Sequence, residues 1–214
     1  MKKSFAAALV ASAALLPAAT AVAQEPVPVT TCRGVIENQT LGDVNVPLGA
    51  DCTLRNVVVR GSITGRSSSR ALVIERAAVT GNVTVTRARG AFTLRDSVVR
   101  GTVAVAESLG AVTLTRSAIG GDTAIRFADG VVTIGGAAAA GNLLGGALVV
   151  EGNDAGGAIA RNVVVGALSL LDNEGAFEVV RNVVRGTLDC AGNTPDPTVA
   201  DNLAAEQLGQ CATL

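Results

Sequence analysis

Apolar and polar positions alternate in short runs along this chain, and the runs return every twenty residues. Gly61, Gly81, Gly101 and Gly121 open successive copies of one phrase, and after a slip of five residues Gly146, Gly166 and Gly186 resume it. Two residues on stand Ile63, Val83, Val103, Thr123, Leu148, Leu168, Leu188 and Leu208. Four residues on stand Gly65, Val85, Val105, Ile125, Val150, Leu170 and Cys190. Alternation of period two predicts a strand with one face inward. Phe92 and Leu94, Val112 and Leu114, Val132 and Ile134, and Phe177 and Val179 predict a second strand. The pairs Val98-Val99, Ala118-Ile119, Val163-Val164 and Val183-Val184 predict a shorter third one.

Three short strands in each 20-residue unit describe one turn of an all-β, single-stranded parallel β-helix, a β-solenoid whose expected hand is right. Stacked at about 4.8 Å, equivalent positions become ladders of like side chains, and Val, Ile and Leu suit such a pleated surface. Gly90, Gly110, Gly130 and Gly175 recur before the second strand, where a positive φ is expected. Asn153, Asn173 and Asn193 form one column and Asn162, Asn182 and Asn202 another, each read as a structural amide ladder. The slip, Gly-Ala-Ala-Ala-Ala at 136–140, is expected to bulge from one coil.

Two rival repeats fit less well. Leu168-Ser169-Leu170-Leu171-Asp172-Asn173 resembles a leucine-rich repeat core, but Arg100, Gly120 and Arg185 stand where that fold requires a leading apolar residue. A left-handed helix of three hexapeptides would repeat near ~18 residues.

Composition narrows the chemistry. The chain is 49% apolar but only 2% aromatic, with no Trp, Tyr or His, so small branched side chains must fill the interior and the commonest general base and metal ligand is missing. Residues 1–23 have the form of an export signal: Lys2 and Lys3, an apolar run from Phe5 to Leu16, and Ala21-Val22-Ala23 before Gln24. No later apolar stretch is long enough to span a bilayer. The organisation expected is a removed signal (1–23), an N-terminal cap with the first coil (24–54), the repeat array (55–200) and a C-terminal cap (201–214). The protein is expected outside the cytoplasm: secreted, periplasmic or at the cell surface.

Four cysteines sit at the two ends. Cys32 and Cys52 are twenty residues apart and Cys190 and Cys211 twenty-one, so one coil separates each pair and brings its Cα atoms to about 5 Å, within disulfide range. Clasping the end coils counters their unpaired edges, and Pro195 and Pro197 remove donors from the last one. A metal site is disfavoured because the pairs lie at opposite ends and no His accompanies them.

In its terminal phrases the chain resembles a group of small secreted bacterial Val/Gly-rich repeat proteins of unassigned function with Cys-clasped ends. The matching residues run from Val46-Pro47 through Gly49-Ala50-Asp51-Cys52 at the start. At the end they are Gly186 to Pro197, with Gly209-Gln210-Cys211. The resemblance implies a secreted solenoid and transfers no activity.

The outward positions offer little chemistry. Asp172 and Glu174, with Glu151 and Asp154 one coil earlier, are the densest carboxylates, yet no Gly-Gly-x-Gly-x-Asp repeat supports calcium, and they read as a solvated acidic corner. Thr93, Thr113 and Thr133 align in a column like that of ice-binding solenoids, but only Thr115 begins a second rank. Charge, in contrast, is ordered along the chain. From Arg55 to Arg100 nine Arg stand against Glu75 and Asp96, a net of +7; from 101 onward five Arg meet twelve carboxylates, a net of −7. A rod so charged is expected to pair with itself antiparallel, or to hold an anionic cell-wall polysaccharide along Arg66, Arg70, Arg87 and Arg89. Nucleic acid is not expected, because no aromatic residues interleave with the arginines. The sequence thus predicts a non-catalytic, cofactor-free structural, adhesive or assembly element, with a carbohydrate-binding or carbohydrate-cleaving β-helix as the alternative.

Overall fold

A computed structural model describes residues 28–66, 69–136 and 140–212; the expected export signal lies outside them. Among the described residues the chain forms 26 strands and no helix. It winds into a parallel β-solenoid of nine coils. A central coil shows the plan: Val83–Thr86 forms the first face, Phe92–Arg95 the second and Val98–Val99 the third. Each strand pairs in parallel with its copies one coil away, as in Val83↔Val103, Phe92↔Val112 and Val98↔Ala118. The nine strands of the second face make one sheet. The other two faces merge into a second sheet of 17 strands, because Val183–Ala191 runs unbroken from the third face into the first.

Register explains each departure from the 20-residue period. Ala118 pairs with Leu143, twenty-five residues on, while Val112 still pairs with Val132, so the five extra residues enter between the second and third faces of one coil. At the far end the last rung loses a residue: Val183 pairs with Leu203, but Thr187 with Glu206. That shift turns Leu208 outward, 40% exposed, although its column is otherwise inward. A single-residue slip reverses the face of every side chain after it.

The interior is one continuous apolar stack of Val, Leu and Ile, with Phe92 and Phe177 as its largest members. In the C-terminal coils the two inner bends are sealed by amides, whereas the earlier coils place Ala128, Ser108 and Ala88 at one bend and Ala77 and Val57 at the other. Asn153, Asn173 and Asn193 are buried and joined Nδ2–H to Oδ1 at 2.8 Å, and Gln210 caps the column by accepting from Asn193. At the second bend Asn142 joins Asn162, Asn182 and Asn202 in the same way. Ser117 and Ser97 continue that ladder toward the N-terminus, accepting backbone N–H groups from the coils before them. Each asparagine also donates to a backbone carbonyl, so both hydrogens of its buried amide have partners.

Of the four glycines expected at a positive φ, Gly175 adopts one, at +75°, and Gly90, Gly110 and Gly130 do not. A Cβ on Gly110 would lie 2.3 Å from the carbonyl carbon of Gly90, in the coil beneath. Close approach of stacked backbones is what selects glycine there. Many left-handed corners are taken by non-glycine residues, among them Arg76, Asp96 and Arg116 after the second face and Arg87, Glu107 and Phe127 after the first, while Gly135, Gly152 and Gly192 take others. At these corners the cost of the left-handed region is borne by a coil held in place on both sides.

Candidate functional site

Both predicted clasps form. Cys32 bonds Cys52 and Cys190 bonds Cys211, with Cα–Cα distances of 5.6 and 5.1 Å. All four cysteines are buried, and each bond joins an end coil to its neighbour. Two such bonds are consistent with an oxidising or extracellular environment.

The four arginines singled out from the sequence gather at one corner of the rod, between the first and second faces. Arg66 ends the strand Ile63–Arg66, and Arg70 stands just before Ala71–Glu75, 3.8 Å from Asp51. Arg87 and Arg89 occupy the same corner one coil later and line a groove with Glu107, Leu109, Phe127 and Asp129. The corner therefore runs through two basic coils and then two that each pair an apolar side chain with a carboxylate, Glu107 with Leu109 and Phe127 with Asp129. Phe127 is 53% exposed and lies over Gly152, whose Cβ, if present, would come within 2.6 Å of the ring. Beyond it the same corner carries Asp154, Asp172 and Glu174, the last bridging to Thr194. Among the described residues no three His, Cys, Asp or Glu converge closely enough to hold a metal ion. Glu151, counted with this acidic group in the sequence, is engaged elsewhere, accepting from Arg126 at 2.8 Å.

Wrapping the chain also removes arginines from the apparent basic half. On the second face Glu37, Arg55, Glu75 and Arg95 stack in one column of alternating charge. Glu75 is nearly buried, with 7% of its side chain exposed, and receives Arg55 at 3.3 Å, Arg76 at 2.7 Å and Arg95 at 2.9 Å. The hydrogen bond from Arg95 holds its carboxyl below the usual range, with Arg55 and Arg76 adding to the effect and burial opposing it. Asp96 is held low in the same way by the bidentate Arg116, at 2.6 and 2.7 Å. These pairs are internal structure and leave Arg66, Arg70, Arg87 and Arg89 as the basic cluster of the corner.

The third face has a different character. Its outward column, Val98↔Ala118↔Leu143↔Val163↔Val183↔Leu203, is apolar and in register from coil to coil. Comparison with protein-family models, curated proteins and solved structures found no match.

Proposed function

We propose that this protein is an exported, non-catalytic β-solenoid that serves as a structural or adhesive element by pairing with itself. The observation that carries this reading is the corner that begins with Arg66, Arg70, Arg87 and Arg89 and continues through Glu107, Asp129, Asp154, Asp172 and Glu174. Two copies laid antiparallel set the basic coils of each against the acidic coils of the other. Leu109 and Phe127, exposed at the changeover, would meet near the two-fold axis and supply apolar area. Export is supported by the form of residues 1–23 and by the two disulfides.

The test is light scattering of the mature protein at low and high salt. Charges of this kind act over a Debye length of about 10 Å at 0.1 M, so oligomers should form at low salt and dissolve at high salt. Arg87→Glu with Arg89→Glu should abolish them. A monomer at every salt concentration would reject self-pairing.

The basic cluster itself favours a second reading, an anionic cell-wall polysaccharide held across the corner. Its reach is short, because Glu107 follows Arg87 one coil on, about 4.8 Å along the axis. Arg66→Ala, Arg87→Ala and Arg89→Ala together should then abolish glycan retention.

A further inference from the structure

The third face is a ridge of exposed apolar side chains lined on both sides by arginine. Val58, Val98, Leu143, Val183 and Leu203 are 40–67% exposed and share one column of eight rungs, whose seven intervals span about 34 Å. The residues two before and two after each ridge position stand at the bends that border this short strand, as Asp96 and Arg100 do on either side of Val98. Those flanking positions hold Arg76, Arg116, Arg161 and Arg181 on one edge and Arg60, Arg100 and Arg185 on the other, all exposed. Arg76, Arg116 and Arg181 are paired with Glu75, Asp96 and Asp201, and Arg60, Arg100, Arg161 and Arg185 make no ion pair among the described residues, so the face carries a net charge of +4 on a chain whose total is −1.

Side-chain size opens the middle of the ridge. Ala118 and Gly120 fall between Val98 and Leu143, leaving a groove of about 310 Å³ whose walls are almost wholly apolar and whose rim is Arg100. On the other edge Arg116 and Asp96 border the same residues. An extended apolar strip of this kind marks an interaction face. A second copy is a poor occupant, since antiparallel pairing through this face would bring Arg60 and Arg76 of one copy toward Arg181 and Arg185 of the other.

We infer that the third face lies on an anionic lipid surface, with the ridge set among the acyl chains near the headgroups and the arginines on the phosphates. The chemistry required is an apolar layer beneath a sheet of negative charge, and the face presents that pair of features in that order across its width. Arginine also lets its stem lie along apolar surface while its guanidinium stays at the headgroup level. A solenoid so placed lies along the membrane and keeps its charged corner, between the first and second faces, directed away from the lipid.

The test is flotation of the mature protein with phosphatidylcholine vesicles made with and without phosphatidylglycerol. The wild-type protein should float only with the anionic vesicles, and less at high salt. Arg60→Gln, Arg100→Gln and Arg185→Gln together should lower the partition coefficient on the order of a hundredfold. Leu143→Gln with Leu203→Gln, both at exposed positions, should lower it by at least about tenfold while leaving the far-UV spectrum unchanged. No flotation of the wild-type protein, or flotation that survives both sets of substitutions, would overturn the assignment. So would an oligomer formed without vesicles and lost in the Leu143/Leu203 variant, since the ridge would then be covered by a second copy. Self-pairing through the charged corner is independent of this result and persists in the Leu143/Leu203 variant.

Discussion

Asn173→Ala cuts an amide ladder at its middle rung, and the structure sets the size of the loss. Asn173 Oδ1 accepts from the backbone N–H of Asn153 at 3.0 Å and from its side-chain amide at 2.8 Å. Its own amide donates to the Val150 carbonyl at 3.0 Å and to Asn193 Oδ1 at 2.8 Å. Truncation leaves a backbone N–H, an amide hydrogen and a carbonyl without partners, at a site where Asn153 and Asn173 are both fully buried. Each such group costs about 1–3 kcal/mol, and a water entering the vacated space recovers part of that, so the expected loss is about 3–5 kcal/mol.

Intrinsic fluorescence cannot report it, because the chain has no Trp or Tyr. Guanidinium unfolding followed by far-UV circular dichroism gives the free energy where the transition is two-state. Solenoids unfold by neighbouring repeats, so hydrogen exchange should show the loss of protection centred on the coils carrying Asn153, Asn173 and Asn193. Asn153→Ala combined with Asn173→Ala should cost less than the sum of the single losses, because both remove the same hydrogen bond from Asn153 Nδ2 to Asn173 Oδ1. The control Thr113→Ala, on the outward side of the second face, should stay within about 0.5 kcal/mol. A loss below about 1 kcal/mol for Asn173→Ala, or strictly additive losses, would refute the claim that the ladder holds the turn.

Three further outcomes follow from the same geometry. Glu75 has its folded pKa below the ordinary value of 4.5, so its arginine cluster stabilises the protein above that pH, and the contribution is lost as pH falls through the depressed folded value; Glu75→Gln should flatten the acid side of a Tm-against-pH curve. Removing the bond between Cys32 and Cys52, which spans twenty residues, with paired serines should cost about 3 kcal/mol, with exchange rising first in the N-terminal coil; peptide mapping without reductant should show Cys32 joined to Cys52 and Cys190 to Cys211, and a Cys32–Cys211 peptide would contradict the coil geometry. Thr123 is fully buried between Val103 and Leu148, with no hydrogen-bond partner for Oγ1 among the described residues, so Thr123→Val should raise stability by about 1 kcal/mol, and an unchanged or lower Tm would speak against that account.

Much of this architecture is local, which is why it could be read from residue order. A β-solenoid repeats one short segment, so the same twenty residues that set strand, corner and core also set the distance to the next copy. Hence Val83, Val103 and Leu148 announced an inward column, and Cys32 and Cys52 announced a disulfide, without any knowledge of distant packing. The amide columns were legible for the same reason. Asn142 was obscured because the five-residue insertion just before it breaks the spacing, and Gln210 because a cap belongs to no column.

Other features depend on how the coils stack and what each rung meets. The glycines before the second face are required by backbone approach from the coil beneath, a distance that no single repeat contains. Leu208 faces outward because one residue is lost in the last rung, and only the pairing of Thr187 with Glu206 reveals where. Charge gives the clearest division. Residue order alone determined that the rod is basic early and acidic late. Wrapping decided that three of the early arginines are spent on Glu75, that four gather at one corner, and that others from both halves flank a single apolar ridge. Position along the axis is additive in sequence, whereas position around the circumference follows from where each coil turns, and that is set by the insertion, the inner amides and the register of neighbouring strands.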